Sequence, residues 1–306
     1  MVKGKLEPEI QNGTIQDESK YIMLLRTFHC EMIRHLFDTL DNNLTDIYLR
    51  FTEEGVKIYE LDAVGTVFIE MNLWRDDIRL DGVYFCTEPR SAGVNMSRIN
   101  RIIKTLTKND TVEFFIERPD PSVSANEIVS EKLGIRIYTP QHNTSSQYII
   151  KMITLNRSGG DIGEKVQAIS SQIEYTRSKK LVSQFFTQTM KSMSTISSKI
   201  DILVTKDEIK FYTEDKTTKR ETTVTVPDTQ ETNRDNNLEI VHSRFNLRIL
   251  SLVSKSGNLS PTVTLYFANE QPMAIKYNIA NLGVIKFVVS SMPIRKEIDI
   301  GDSDSD

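Results

Sequence analysis

The chain has 306 residues, with 38 Lys and Arg against 42 Asp and Glu and a formal net charge of −4, a length that suits two domains of ordinary size better than one. No apolar run approaches the roughly 20 residues of a membrane span, the N-terminus lacks the apolar stretch of a secretory signal, and the two cysteines, Cys30 and Cys86, are too few for a disulfide framework. Neither a membrane-spanning nor a secreted protein is expected. The expectation is a soluble intracellular protein in a reducing compartment, in which the sequons at Asn95 and Asn258 are chance matches.

Residues 1–20 read as a tail. Met32, Ile33, Leu36, Phe37 and Leu40 then fall at helical spacing, with Arg34, His35 and Asp38 on the other side. Residues 49–71, LRFTEEGVKIYELDAVGTVFIEM, predict two alternating strands around a polar turn at 52–55 and a third strand after them. A second helix has Ile99, Ile102, Ile103 and Leu106 as its core stripe and Arg98, Arg101, Lys104 and Lys108 largely opposite. A third has Phe186, Met190 and Met193, flanked by Lys180 and Lys191. A fourth sets Phe245, Ile249, Leu252 and Val253 against Arg244, Arg248 and Lys255. The intervening strands are many and short with local turns, which predicts antiparallel sheet and an α+β class. The last residues, GDSDSD, form an acidic tail.

The chain repeats itself. IYLRFTEEGVKIYELD from Ile47 is answered by IDILVTKDEIKFYTED from Ile200, 153 residues on. SRIN at 97–100 resembles SRFN at 243–246, and TVEFFIE from Thr111 resembles TVTLYFA from Thr262, all in the same order. Self-similarity at this spacing means two similar domains in tandem. The second copy has Glu208 where the first has Gly55; if that position requires a left-handed backbone, the second hairpin is strained by about 1 kcal/mol.

Charge is sorted along the chain. Residues 94–109, 175–200 and 242–260 contain no acid. A solvated helix usually mixes signs, because Glu–Lys pairs four apart add a few tenths of a kcal/mol. Cations without anions on three successive helices point to a polyanion, and the nucleic-acid backbone, recognised independently of sequence, is the natural one. The first helix, with Glu31 and Asp38, contributes least. No chemistry competes with this reading. Cys30, His29 and His35 lack a third orienting group, and HExxH, GxGxxG, GxxxxGKS and CxxC are absent from the sequence, so neither an enzyme, a cofactor nor a metal is expected.

The duplicated α+β pattern, with TEEGVKIYELD in the first hairpin, GVNMSRINRIIKTL as second helix and AIKYNIANLGVIKFVV near the end, resembles the eukaryotic-type DNA sliding clamp family, proliferating cell nuclear antigen. The match covers about residues 21–293. It implies clamp domains at 21–155 and 175–295, joined by a connector at 156–174 and followed by an acidic tail at 296–306. It also implies a head-to-tail trimer, helices lining a hole that holds duplex DNA, and a protein without enzymatic activity that tethers DNA polymerase and other proteins bearing clamp-binding peptides, after a clamp loader has placed it. Its place would be the nucleus or a viral replication compartment.

Carried over by position, the resemblance implies a partner-docking pocket at Leu61, Asp62, Thr66, Val166, Ile169, Pro272, Val288 and Ser290. It implies a subunit interface of 147–155, with Tyr148, Ile150 and Met152, against 219–227, with Thr222, Val224 and Val226. Lys206 in the second hairpin turn matches a lysine of ubiquitin-type modification, although an exposed turn lysine is commonplace. The sequence departs from the family where Val288 replaces an aromatic and Pro293 falls two residues late, in the loop insertion at 117–132, and in the long N-terminal tail. These mark a divergent member, of the kind a large DNA virus keeps. A non-encircling accessory subunit of viral replication or late transcription is the alternative.

Overall fold

The computed structural model describes residues 18–119, 131–155, 162–229 and 240–294. Most of both tails, residues 120–130 of the insertion at 117–132, the connector residues 156–161 and residues 230–239 lie outside the described residues.

The first half runs β1 (Tyr21–Thr27), α1 (Cys30–Asn43), β2 (Asp46–Thr52), β3 (Gly55–Leu61), β4 (Val67–Trp74), α2 (Arg75–Asp81), β5 (Val83–Cys86), β6 (Arg90–Asn95), α3 (Met96–Ile103), β7 (Thr111–Glu117), β8 (Lys132–Thr139) and β9 (Thr144–Lys151). Helix α4 (Ile162–Ser170) follows. The second half runs β10 (Arg177–Val182), α5 (Ser183–Met193), β11 (Lys199–Val204), β12 (Glu208–Glu214), β13 (Lys219–Thr225), β14 (Val241–Asn246), α6 (Leu247–Ser254), β15 (Thr262–Phe267), β16 (Met273–Ile279) and β17 (Gly283–Val289). Two α+β domains of similar element order result.

All strand pairs between named strands are antiparallel. Five strands in the order β5-β1-β7-β8-β9 form one sheet and four, β13-β12-β11-β14, another. The largest sheet has eight, β10-β15-β16-β17-β4-β3-β2-β6, and belongs to both domains because β17 pairs with β4 in register from Gly283↔Leu73 to Val289↔Val67. One face of this sheet is core: Ile58, Met71, Ile285, Tyr277, Val263 and Leu181 stand opposite one another across six strands, and all are buried. Helices α1, α3, α5 and α6 pack together on the core side.

Local chemistry explains several boundaries. Asn95 and Asn246 end β6 and β14 and cap the helices that follow, their side-chain oxygens accepting from Arg98 N at 3.2 Å and Arg248 N at 2.9 Å. This corrects the repeat: SRIN lies on α3, whereas SRFN lies on β14. The true equivalents are Asn95 and Asn246, which share with Thr111 and Thr262 a spacing of 151 residues. Phe245 and Arg244 are accordingly strand residues, and the buried stripe of α6 is Leu247, Leu250 and Val253. Six α-helices, not four, occur among the described residues; α2 is a seven-residue turn between strands, and α4 lies in the connector.

Gly55 has φ 142°, and a Cβ there would sit 1.9 Å from the Leu73 carbonyl oxygen. Only glycine fits. Glu208 is not among the residues with positive φ, so the second hairpin escapes the strain expected of it.

Candidate functional site

Two surfaces and two edges carry the sequence-predicted residues. On the helix side, α3 presents Arg98 and Arg101, α5 presents Lys191, α6 presents Arg248, and Lys255 follows its last turn; all five are exposed. None of the five pairs with a carboxylate among the described residues. Lys104 sits at the C-cap of α3 and reaches Asp38 of α1 at 3.3 Å, while Asn100 donates to Asp38 and Asp41, so the acids of α1 are partly neutralised within the layer. Arg34 donates to the Leu106 carbonyl.

Three of the expected helix cations are elsewhere. Lys108 is exposed in the loop beyond α3. Arg244 stands on β14 and grips Asp201 of β11 through two guanidinium nitrogens at 3.0 Å, an ion pair within the sheet. Lys180 stands on β10 opposite Thr264, while its neighbours Lys179 and Leu181 face the core; strand alternation therefore points Lys180 away from the helices.

Two clefts open on the helix side. One of about 640 Å³ lies between α1 and α5 and is lined by uncharged polar groups, including Asn42, Gln184, Gln188 and Asn258, with Asp38 and Lys255. The other, about 550 Å³, lies where α5 ends beside α6, and sets Ser194, Ser197, Ser198 and Ser251 around Arg248 and Lys255. Arg248 and Lys255, with the Ser197 and Ser198 hydroxyls beside them, suit phosphate oxygens, while the Ser194 and Ser251 hydroxyls donate to the Lys191 and Met190 carbonyls.

On the opposite face of the eight-stranded sheet, Tyr266, Ala274, Val288, Phe68 and Leu61 form a row across five strands and both domains. Together with Tyr59, Val166, Ile173 and Tyr175 they make a second apolar cluster, separate from the main core. Leu61, Val166 and Val288 of the expected pocket thus come together. Ile169 does not: it is 66 % exposed, because α4 turns Val166 inward and Ile169 outward. Pro272 and Ser290 flank the cluster at the ends of β16 and β17, Ser290 N donating to Thr66 O. Asp62 organises the loop before β4, accepting from Thr66 N at 2.6 Å, Thr66 Oγ at 3.0 Å and Val67 N at 2.8 Å.

Cluster residues that the expected pocket did not include are Tyr59, Phe68, Ile173 and Ala274, and with them Tyr175 and Tyr266. The Tyr175 and Tyr266 rings pack 5.8 Å apart, and they bring to the cluster aromatic surface that Val288 lacks. The Tyr175 hydroxyl is buried without a hydrogen-bond partner among the described residues, and burial pushes its pKa up to about 12. The alternation of Tyr59, Leu61 and Phe68 on the outer face was the available signal. Arg50 ties α4 down: it is buried between the Tyr48 and Tyr59 rings, 5.8 and 5.7 Å from their centroids, and reaches Glu164 at 3.7 Å.

The two edges are β9 and β13. Tyr148 and Ile149 are exposed on β9, Ile150 is half-buried, and Met152 lies past its end. On β13 Thr222 and Val224 are half-buried, and Val226 follows it. After each of these strands the chain turns to cap an edge of the eight-stranded sheet: Ile153 N donates to Gly93 O of β6, and Thr229 N to Ser178 O of β10. Strands β9 and β13 stop short of the expected 155 and 227 for this reason. The turn carrying Lys206, which is exposed, is held from beneath by Lys179, whose buried Nζ donates to the Lys206 and Val226 carbonyls and pairs with Asp228 at 3.0 Å.

Cys30 is buried, donates its thiol to the Asp110 carbonyl at 3.1 Å and has its pKa pushed up to about 12, chiefly by burial and then by Asp110. It is a protonated core thiol. No helix is long and apolar enough to cross a membrane among the described residues.

A two-domain chain with helices on one face, antiparallel sheets on the other and a sheet shared across the domain boundary is a DNA-clamp fold. Residues 23–157 match the model of the proliferating cell nuclear antigen N-terminal domain and residues 169–292 that of its C-terminal domain, and the chain belongs to this family. It is 22 % identical over 286 residues to a protein described as "Probable DNA polymerase sliding clamp 1" of Paramecium bursaria Chlorella virus 1, covering 90 % of this chain and 98 % of that one. Its fold is similar to the crystal structure of the Entamoeba histolytica proliferating cellular nuclear antigen, with a TM-score of 0.73 at 14 % identity over 89 % of this chain and 100 % of that one.

Proposed function

We propose that the protein is a DNA sliding clamp, a processivity factor that encircles duplex DNA and tethers a polymerase and other replication and repair proteins. One observation carries the reading. Strand β4 of the first domain pairs with β17 of the second within the chain, and the repeat makes β13 the counterpart of β4 and β9 the counterpart of β17. Each of those two counterparts is an edge strand of its sheet, and of the six edge strands they are the most exposed along their length. An edge is a template for pairing, and a head-to-tail contact of β9 with β13 of the next copy repeats the internal junction. With two domains per chain, 21–155 and 175–295, such contacts close into a ring when the rotation per chain allows it. Three chains give six similar domains, with the unpaired cations of α3, α5 and α6 facing the hole.

The apolar cluster under α4, the connector helix within 156–174, is the proposed docking site for clamp-binding peptides, and the protein works with a clamp loader in the nucleus or in a viral replication compartment. Lys206 is proposed as a modification site. On a nicked circle the loaded protein should survive moderate salt, then slide off once that circle is linearised, because topology rather than ion pairing retains it. Equal retention on circular and open-ended linear DNA would mean ordinary salt-labile surface binding and a non-encircling accessory role.

A further inference from the structure

The outer face of the eight-stranded sheet carries a second row beside the apolar one. Lys180, Thr264, Lys276, Lys286, Glu70 and Tyr59 stand opposite one another on successive strands. Lys276 of β16 and Lys286 of β17 form a direct cross-strand pair of like charges, an arrangement that destabilises a sheet. Glu70 neutralises Lys286 at 2.7 Å. Lys180 and Lys276 pair with no carboxylate among the described residues, so the row holds three cations and one anion. Connector helix α4 packs over β3 and β4 at the other end of the row, and Ile173 and Tyr175 after it pack on the apolar row, while in the lysine row Lys180 is exposed and Lys276 and Lys286 are half-buried.

The chain itself supplies an anion. Beyond Ile294, which is 40 % exposed, come Arg295 and Lys296 and then EIDIGDSDSD, with five carboxylates and two isoleucines in ten residues. The chain leaves β17 at Val289, in the middle of this sheet, and Met292 N is bonded to Arg244 O. Twelve residues span up to about 40 Å when extended, whereas β17 and β10 are three strand spacings apart, about 14 Å.

We propose that residues 297–306 dock across this lysine row of their own chain, carboxylates on Lys180, Lys276 and Lys286 and the isoleucines toward Tyr266 and Val288, and so compete with partner peptides for the adjoining pocket. The regulatory half of this statement rests on the docking site proposed above. Partner binding then requires displacing the tail, and salt, which screens exposed charge pairs, loosens it.

The test uses the full chain. Carbodiimide coupling joins a carboxylate to a lysine amine that it already touches, and mass spectrometry should find tail acids linked to Lys276 or Lys180 within one chain. Linkage only to Lys191 or Lys255 of the helix side, only between chains, or none, overturns the docking. Separately, a synthetic peptide with an apolar residue followed by two aromatics is titrated. Neutralising the tail (Glu297→Gln with Asp299, Asp302, Asp304 and Asp306→Asn) should tighten its binding about 5- to 10-fold at low salt, the factor imposed by a tail occupying the face roughly 80 to 90 % of the time. Lys276→Glu with the native tail should give the same gain, without addition when the two are combined. Equal affinity in all forms overturns the competition. A peptide that binds none of them sinks the pocket assignment instead, and the coupling result still decides where the tail lies.

Discussion

Val288 of β17 stands directly opposite Phe68 of β4, so a single cross-strand pair places one residue from each domain in the same apolar cluster. The surface proposed for partner docking therefore exists only when the two domains share their sheet.

Leu61 is the half-buried member of that row nearest the connector. Leu61→Asp should cost about 1–2 kcal/mol of stability, since the carboxylate is only partly desolvated, and should weaken partner peptides at least about tenfold. The oligomer should be unchanged. Calorimetric titration and thermal unfolding of the same sample separate the two effects; undiminished peptide affinity would place the docking site elsewhere.

On the edges, Tyr148, Ile149 and Thr223 are exposed. Tyr148→Asp with Ile149→Asp on β9, or Thr223→Asp on β13, should leave unfolding within about 0.5 kcal/mol per site yet yield monomer by mass measurement in solution. Native protein that is already monomeric at micromolar concentration would refute the head-to-tail ring.

Cations that look alike in sequence should behave differently. Replacing Arg101 or Arg248 by Ala should each reduce the slope of log affinity against log salt by about 1, with little effect on stability. Arg244→Ala should leave the slope alone and lower stability by about 1 kcal/mol or more, because Asp201 loses its charged donor. Lys180→Ala should move neither. A slope change for Arg244→Ala matching that of Arg248→Ala would contradict the placement on β14.

The hairpins differ as well. Gly55→Ala should destabilise by roughly 2 kcal/mol or more, since it adds a Cβ where the Leu73 carbonyl already sits and where φ is positive. Glu208→Gly in the second copy should be neutral or lose up to about 1 kcal/mol. Denaturant unfolding of the two variants compares them directly, and stabilisation by Glu208→Gly would show strain at that turn.

Much of this protein was legible in its sequence, for physical reasons that act locally. Alternation along 47–62 and 200–215 reports strands because successive side chains face opposite sides, and the stripe Ile33, Leu36, Phe37 and Leu40 reports a helix whose one face is buried. Repetition of both patterns at half the chain length was enough to argue two similar domains, and the absence of acid from 94–109, 175–200 and 242–260 was visible by inspection. Local pattern also misled. SRFN copies the letters of SRIN, yet the capping asparagine sets where strand becomes helix, and that put Arg244 on a strand.

Tertiary structure decided what depends on distant partners. No local signal says that β17 crosses to pair with β4, although the outer-face row from Tyr266 to Leu61, and the lysine row beside it, exist only through that pairing. Whether a cation is available is equally non-local: Lys104 meets Asp38, Arg244 meets Asp201, and Arg101 and Arg248 meet no carboxylate among the described residues. The sequence by itself determined four of the six helices, most of the strands, the duplication and the sorting of charge, because each is written in stretches of neighbouring residues or in the likeness of two such stretches. Only the folded chain decided which edges stay open and which charges stay unpaired, because both are settled by residues far apart in the sequence that meet only on folding.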